Sequence, residues 1–170
     1  DGYFQLVAGV FSSHSEINKQ TAETWNVSGE RTYSNYKELL EKEYGKIDAV
    51  VVLVPTDLHA EIPIAALEKG IPVICEKSLA TTVEEGFKIA SAVKNSKGFF
   101  CTTYNYTGYP MIRELSLMIR QDELGKIQQI QIEMPQEGFL RLKADGSAQT
   151  PQAWRLTETS IPKISLDLGS

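Results

Sequence analysis

The residue of this chain best suited to chemistry is Lys77, which directly follows Glu76 at the end of a short apolar run. Removing hydride from an alcohol carbon requires a group that accepts the hydroxyl proton, and a neutral amine can do so. Glu76 points to the opposite side if extended geometry continues through the pair, which suits it to a ribose hydroxyl better than to pairing with Lys77. On local sequence alone, a Glu-Lys dipeptide after a strand is more often an ordinary solvated turn. His59 stands where a helix opens, ahead of Glu61 and Pro63, and a helix start can receive phosphate or carboxylate groups on its free N–H groups. A histidine there can also make local hydrogen bonds only. Ser12 and Ser13 follow another apolar run, where dinucleotide folds place the residue that touches the adenosine ribose. An acid there selects the 2′-hydroxyl, and none is present; Ser13 is also a candidate helix cap. Further on, Arg155 can bind an anion or hydroxyl and Asp167 can join a proton network or touch substrate, while Trp154 reads equally well as core.

Four apolar runs of strand length would position these groups, at residues 5–11, 49–54, 72–75 and 99–104. None alternates polar with apolar, so all read as strands buried on both faces. Between them, Ser13 with Glu16 and Thr82 with Glu85 have capping-box spacing. Gly45, Gly70 and Gly98 follow lysine-rich stretches, where a residue free to take positive φ can close a helix. Strand, helix, strand, helix predicts parallel strands joined by right-handed crossovers, an α/β doubly wound sheet. Ligands bind such sheets at the carboxyl ends of the strands. Ser12 and Ser13, then Pro55, Thr56, Leu58 and His59, then Glu76 and Lys77, then Asn105 and Tyr106 would therefore share one edge.

After Tyr104 the texture changes. Residues 105–110 form a turn-rich, aromatic-rich junction, residues 111–121 read as one more helix, and Gly125 follows it. Residues 127–133 alternate imperfectly, as an antiparallel strand with one wet face would, and a second domain is placed here. Residues 135–162 show no clear period, and loops of that length are functional or disordered as a rule.

Composition narrows the function classes. A chain of 170 residues, 42% hydrophobic, suffices for one domain or for one domain and the beginning of a second. No stretch approaches the roughly 20 apolar residues of a membrane helix. The net charge of -5 is scattered, so it marks no nucleic-acid or anionic-membrane footprint. Cys75, Cys101, His14 and His59 lack metal-ligand spacing, and the cysteines read as reduced, buried thiols. A small molecule is the expected partner, and no metal is expected.

The order of these motifs resembles that of the glucose-fructose oxidoreductase, inositol dehydrogenase and MocA family. The matching segments are Val54-Pro55-Thr56-Asp57-Leu58-His59, Cys75-Glu76-Lys77-Ser78-Leu79-Ala80, Asn105-Tyr106-Thr107-Gly108-Tyr109-Pro110, Trp154-Arg155 and Asp167-Leu168-Gly169-Ser170. They run through essentially the whole chain, and the Asn-Tyr-Thr-Gly-Tyr-Pro segment is similar to a sugar- or inositol-oxidising branch. The resemblance implies an NAD(P)-binding Rossmann domain over residues 1–106 and the start of a C-terminal substrate and oligomerisation domain, an α+β open sheet, over 107–170. It implies that Lys77 relays the proton, that Glu76 and Asn105 line the nicotinamide half, and that Pro55, Thr56, Leu58 and His59 line the dinucleotide crevice. Asp167 matches an aspartate that contacts substrate and joins Lys77 as a catalytic candidate, with Tyr106, Trp154 and Arg155 on the substrate side. The implied cofactor is NAD or NADP; Lys19 is the cation nearest Ser12 and Ser13, which leans the choice to NAD. A cytoplasmic homo-oligomer acting on a polyol, without nucleic-acid or membrane partners, is expected.

The departures are specific. None of the 12 glycines makes a Gly-x-Gly-x-x-Gly pattern, and the first strand here corresponds to the family's second. The chain thus reads as a piece without the family's pyrophosphate loop, with the family's catalytic histidine due at the position after Ser170. Ser78 stands where the family has proline, and Ile161-Pro162-Lys163-Ile164 where a glycine pair is usual. A non-catalytic nucleotide or metabolite sensor on the same fold, like the galactose-pathway repressors that resemble these enzymes, is the alternative reading.

Overall fold

Residues 50–52 and 73–76 are rich in β-branched side chains, which are stiff at χ1 and fit a pleated surface. In the computed structural model they form β1 (Val50–Val52) and β2 (Val73–Glu76), paired in parallel with Val50 against Val73, Val51 against Ile74 and Val52 against Cys75. β3 (Phe100–Thr103) lies on the other side of β2, completing a three-stranded parallel sheet. The structure describes residues 3–167 except Lys97, Gln136, Phe139, Gln152 and Glu158, and except the side chains of Ala153, Trp154 and Lys163. The chain divides into two compact units, Asp1–Thr102 and Thr103–Ser170.

Parallel strands need crossover connections, and helices supply them. Ahead of the sheet come α1 (Ser15–Thr24) and α2 (Tyr36–Lys42); α3 (Glu61–Glu68) joins β1 to β2, and α4 (Val83–Ser96) joins β2 to β3. α3 packs on β1, β2, α2 and α4. The shared core is Leu40, Val52, Ile62, Ala66, Leu67, Ile71, Val73 and Cys75. Burial of each large aliphatic side chain there contributes about 1.5–3 kcal/mol. The capping box at α4 forms as read: Thr82 Oγ1 accepts from the Glu85 N–H at 3.1 Å, and Glu85 Oε2 accepts from the Thr82 N–H at 3.2 Å. Gly70, at φ +72°, ends α3 in a conformation that side chains with a Cβ resist.

Several expectations are corrected. Residues 5–11 form no strand: Gly9 makes one parallel bridge to Thr32, and Tyr3, Phe4 and Leu6 are exposed. A strand forms only where a partner lies alongside, and among the described residues only Thr32 does. The strands are not buried on both faces, since the side of β1 that carries Val51 is open, with Val51 57% exposed. The box at α1 does not form either; His14 is the N-cap, and no side chain caps it. Gly98 does not close α4 by positive φ. Ser96 Oγ accepts from its N–H at 3.1 Å instead, and a Cβ there would come 3.2 Å from Leu67 Cδ2.

α1 is tied to its surroundings by Asn18, a polar residue on its buried face with Ala22. Asn18 Oδ1 accepts from the Phe11 N–H at 2.7 Å and the Ser12 N–H at 3.3 Å, while Nδ2 donates to the Tyr33 carbonyl at 2.9 Å. Asn18→Ala leaves these backbone groups without their partner, and a loss of about 1–3 kcal/mol is expected in urea melts of the intact protein. An unchanged midpoint would show that water replaces the amide without cost.

The second unit begins with a 3-10 turn, Asn105–Gly108, and α5 (Pro110–Arg120), with Pro110 in the first turn where its missing N–H costs nothing. Gly125, at φ +60°, follows. Residues 127–133 are exposed and form no ladder, so the expected wet-faced strand is absent from them. Beyond lie, among the described residues, one antiparallel bridge, Leu142 to Ala148, and two short helices, α6 (Ala153–Leu156) and α7 (Lys163–Asp167). The stretch 135–162, expected to lack regular structure, thus holds one helical turn and one bridge among its described residues.

Candidate functional site

The parallel pairing sets Val52, the last residue of β1, beside Cys75, the last but one of β2, so the segments that follow the two strands emerge at one carboxyl edge. After β1, Pro55 introduces a 3-10 turn, Thr56–Leu58. Pro55 and Leu58 are exposed there and Thr56 is half-buried. After β2, Lys77 is half-buried at the same edge. Thr56 and Lys77 are thus both at the rim where the parallel-sheet argument put them. Glu76 does not extend away from the turn: its Oε1 accepts from the Lys77 backbone N–H at 2.8 Å. The Lys77–Ser78 peptide is cis, and Ser78 is 6% exposed.

His59 is 1% exposed. Its Nδ1 lies 2.5 Å from the Ser78 carbonyl and its Nε2 2.8 Å from the Val54 carbonyl, so both ring nitrogens are engaged with backbone. Cys75 lies beneath this edge, fully buried, and burial together with the neighbouring Glu76 pushes its thiol up to about 11. A thiol held in that state is a poor nucleophile.

Ser12 and Ser13 line a hollow of about 520 Å³ beside α1, together with Asn18, Lys19, Thr32 and Tyr33. Ser12 Oγ accepts from the His14 N–H at 3.1 Å, and Ser13 is exposed. Asn18 shapes this hollow and was not among the candidates from sequence. Its signal there is weak: a polar residue four positions before Ala22 on the buried face of a helix.

In the second unit, Asn105 and Tyr106 are exposed at the opening 3-10 turn, and the Tyr106 and Tyr109 rings meet edge to face at 5.6 Å. Arg155 of α6 and Asp167 of α7 are brought together, with Arg155 Nη2 2.8 Å from Asp167 Oδ2. The Trp154 side chain and residues Leu168, Gly169 and Ser170 lie outside the described residues. Among the described residues no group of three or more His, Cys, Asp and Glu side chains can hold a metal ion. None of their helices is long and apolar enough to cross a membrane.

A parallel sheet with flanking crossover helices and an open carboxyl edge defines the Rossmann class of nucleotide-binding domain. Within it, the model of the Gfo/Idh/MocA oxidoreductase family, NAD-binding Rossmann fold, matches residues 2–104, and the chain belongs to that family. An uncharacterized oxidoreductase of Bacillus subtilis, YfiI, is 32% identical over 98% of this chain and 42% of its own length. Levoglucosan dehydrogenase of Pseudarthrobacter phenanthrenivorans is 34% identical over 58% of this chain and 25% of its own. Among solved structures, an inositol dehydrogenase homologue of Azotobacter vinelandii, complexed with NADH and myo-inositol, superposes with a TM-score of 0.69 at 34% identity, covering 74% of this chain and 34% of that one. The chain therefore spans less than half the length of these relatives.

Proposed function

We propose that the intact protein is an NAD(P)-dependent oxidoreductase that transfers a hydride between a sugar, inositol or similar polyol and a nicotinamide cofactor. The observation that carries this reading is Lys77, an amine at the carboxyl edge of the sheet in a chain of this family. The solved relative with NADH and myo-inositol supports the cofactor and the substrate class. The edge suits a dinucleotide, because Pro55 and Leu58 offer exposed apolar surface and Thr56 a hydroxyl along it. A bound nicotinamide supplies the hydride acceptor. Lys77 Nζ takes the hydroxyl proton as the carbon–hydrogen bond gives up its electron pair and the carbon–oxygen double bond forms. Glu76 and Asn105 face the nicotinamide half, and Ser12 and Ser13 the adenosine ribose, with NAD preferred. Asp167, the second catalytic candidate, contacts substrate with Tyr106, Trp154 and Arg155. The same reading puts residues 1–106 in the cofactor domain and 107–170 at the start of the substrate domain of a cytoplasmic homo-oligomer.

The test is a cofactor-reduction screen of the intact protein against sugars and inositols with NAD+ and NADP+. Reduction of NAD+ by at least one polyol, faster than of NADP+, is expected. A protein that binds NADH yet reduces neither cofactor with any polyol, or that binds no NADH, would sink the proposal.

A further inference from the structure

Backbone carbonyls at strand ends lose their ladder partners and must find others if they are buried. Two carbonyls just past the strands meet at His59: that of Val54, two residues beyond β1, and that of Ser78, two residues beyond β2 and directly after Lys77. The ring between them is 1% exposed. A neutral imidazole donates to one carbonyl, and only the doubly protonated ring donates to both. The ring lies in a gap between two chain segments that no strand pairing closes, since the β1–β2 ladder stops at Val52 and Cys75. The doubly protonated ring ties both, and a neutral ring ties the one its N–H faces.

We infer that His59 is a positioning residue, clasping the Lys77–Ser78 turn to the end of β1 so that the Lys77 amine keeps its place at the edge. This rests on the proposed proton relay by Lys77 and extends it to a buried side chain that acts through the turn it faces. The two nitrogens have different tasks. Nδ1 faces the carbonyl of the turn itself, and Nε2 faces that of the segment following β1. Asparagine places an amide near the position of Nδ1, and glutamine near that of Nε2, so the pair of variants separates the tasks.

The test uses the intact protein and reads both turnover and amide hydrogen exchange over residues 77–80, the latter needing no substrate. His59→Phe fills the space without donating, and misplacement of a reacting group by about 1 Å costs about 100-fold, so kcat should fall by about that factor. The KM for NAD+ should stay within about twofold, as expected when only transition-state interactions are lost. Exchange over 77–80 should quicken by about tenfold while α4 keeps its protection. His59→Asn should bring kcat and exchange back toward wild type, and His59→Gln should not. Wild-type exchange and kcat in His59→Phe would overturn the inference, as would equal behaviour of the Asn and Gln variants, which also decides the matter if the Phe variant fails to fold. If no polyol is turned over, exchange alone decides in the same way. A Lys77→Ala variant that keeps its turnover would instead refute the proton relay, while the exchange data still judge the clasp.

Discussion

Lys77→Ala in the intact protein is expected to lower turnover by about 10²–10⁴-fold, the range supplied by a positioned general base, with NADH binding altered only a few fold. The amine stands at the end of β2, and the register with β1 puts it at the same edge as the Thr56–Leu58 turn. Deleting the side chain beyond Cβ takes away the proton acceptor and leaves the backbone of the turn, including the Glu76 bond to its N–H, in place. Arginine should not restore activity, because its guanidinium stays protonated and cannot accept a proton. Stopped-flow measurement of cofactor reduction, with NADH titration alongside, checks both halves. Turnover within a few fold of wild type would remove Lys77 from the chemistry.

The second large effect concerns stability and pH. Glu43 is 1% exposed and receives Arg31 through Nε at 2.9 Å and Nη2 at 2.5 Å, while the Tyr33 hydroxyl donates to the same carboxylate at 2.6 Å. The Arg31 hydrogen bonds outweigh burial, and with help from Tyr33 they hold the carboxyl at about 2 instead of its usual 4.5. A carboxyl whose pKa is lower in the folded state stabilises the fold fully above about pH 4.5 and loses that contribution as pH falls toward about 2. Glu43→Ala leaves a guanidinium that is one third open to solvent and a buried Tyr33 hydroxyl facing an empty site, and a buried donor without its partner costs about 1–3 kcal/mol. Glu43→Gln keeps an acceptor for Tyr33 but cannot titrate, so its stability should vary less between pH 5 and pH 3, values chosen to bracket about the upper half of the window. Urea melts at the two pH values decide the matter, and an identical pH slope in wild type and Glu43→Gln would show that other groups govern the acid response.

What the sequence made legible follows from the range of the interactions concerned. The Thr82–Glu85 box spans three residues and forms as its spacing says. The strands at 50–52, 73–76 and 100–103 were found because each has a neighbour supplied by the same repeating unit, and the edge position of Lys77 follows from their parallel order. Residues 5–11 and 127–133 have strand-like composition but lack a ladder partner among the described residues, and composition carries no information about partners. His59 was read at the crevice because a helix opens there. Its burial depends on two backbone carbonyls, 5 and 19 residues away, that no side-chain pattern announces. The Arg31, Tyr33 and Glu43 group is likewise invisible, since its members are 10 and 12 residues apart and look like ordinary surface charges until helix α2 brings them together.

The abreast pairing of Val52 and Cys75 makes the chain unequally tolerant of changes in length. The link between α2 and β1, exposed at Lys46 and Asp48, can take an extra residue at small entropic cost without altering what stands opposite Val73. One residue added inside Val73–Glu76 turns every later side chain to the other face, carrying Cys75 out of the core and Lys77 off its side of the rim. Lys77 therefore has an address counted from Val73, and evolution or an engineer can re-space the amino-terminal edge of this sheet far more freely than the four residues that deliver the amine.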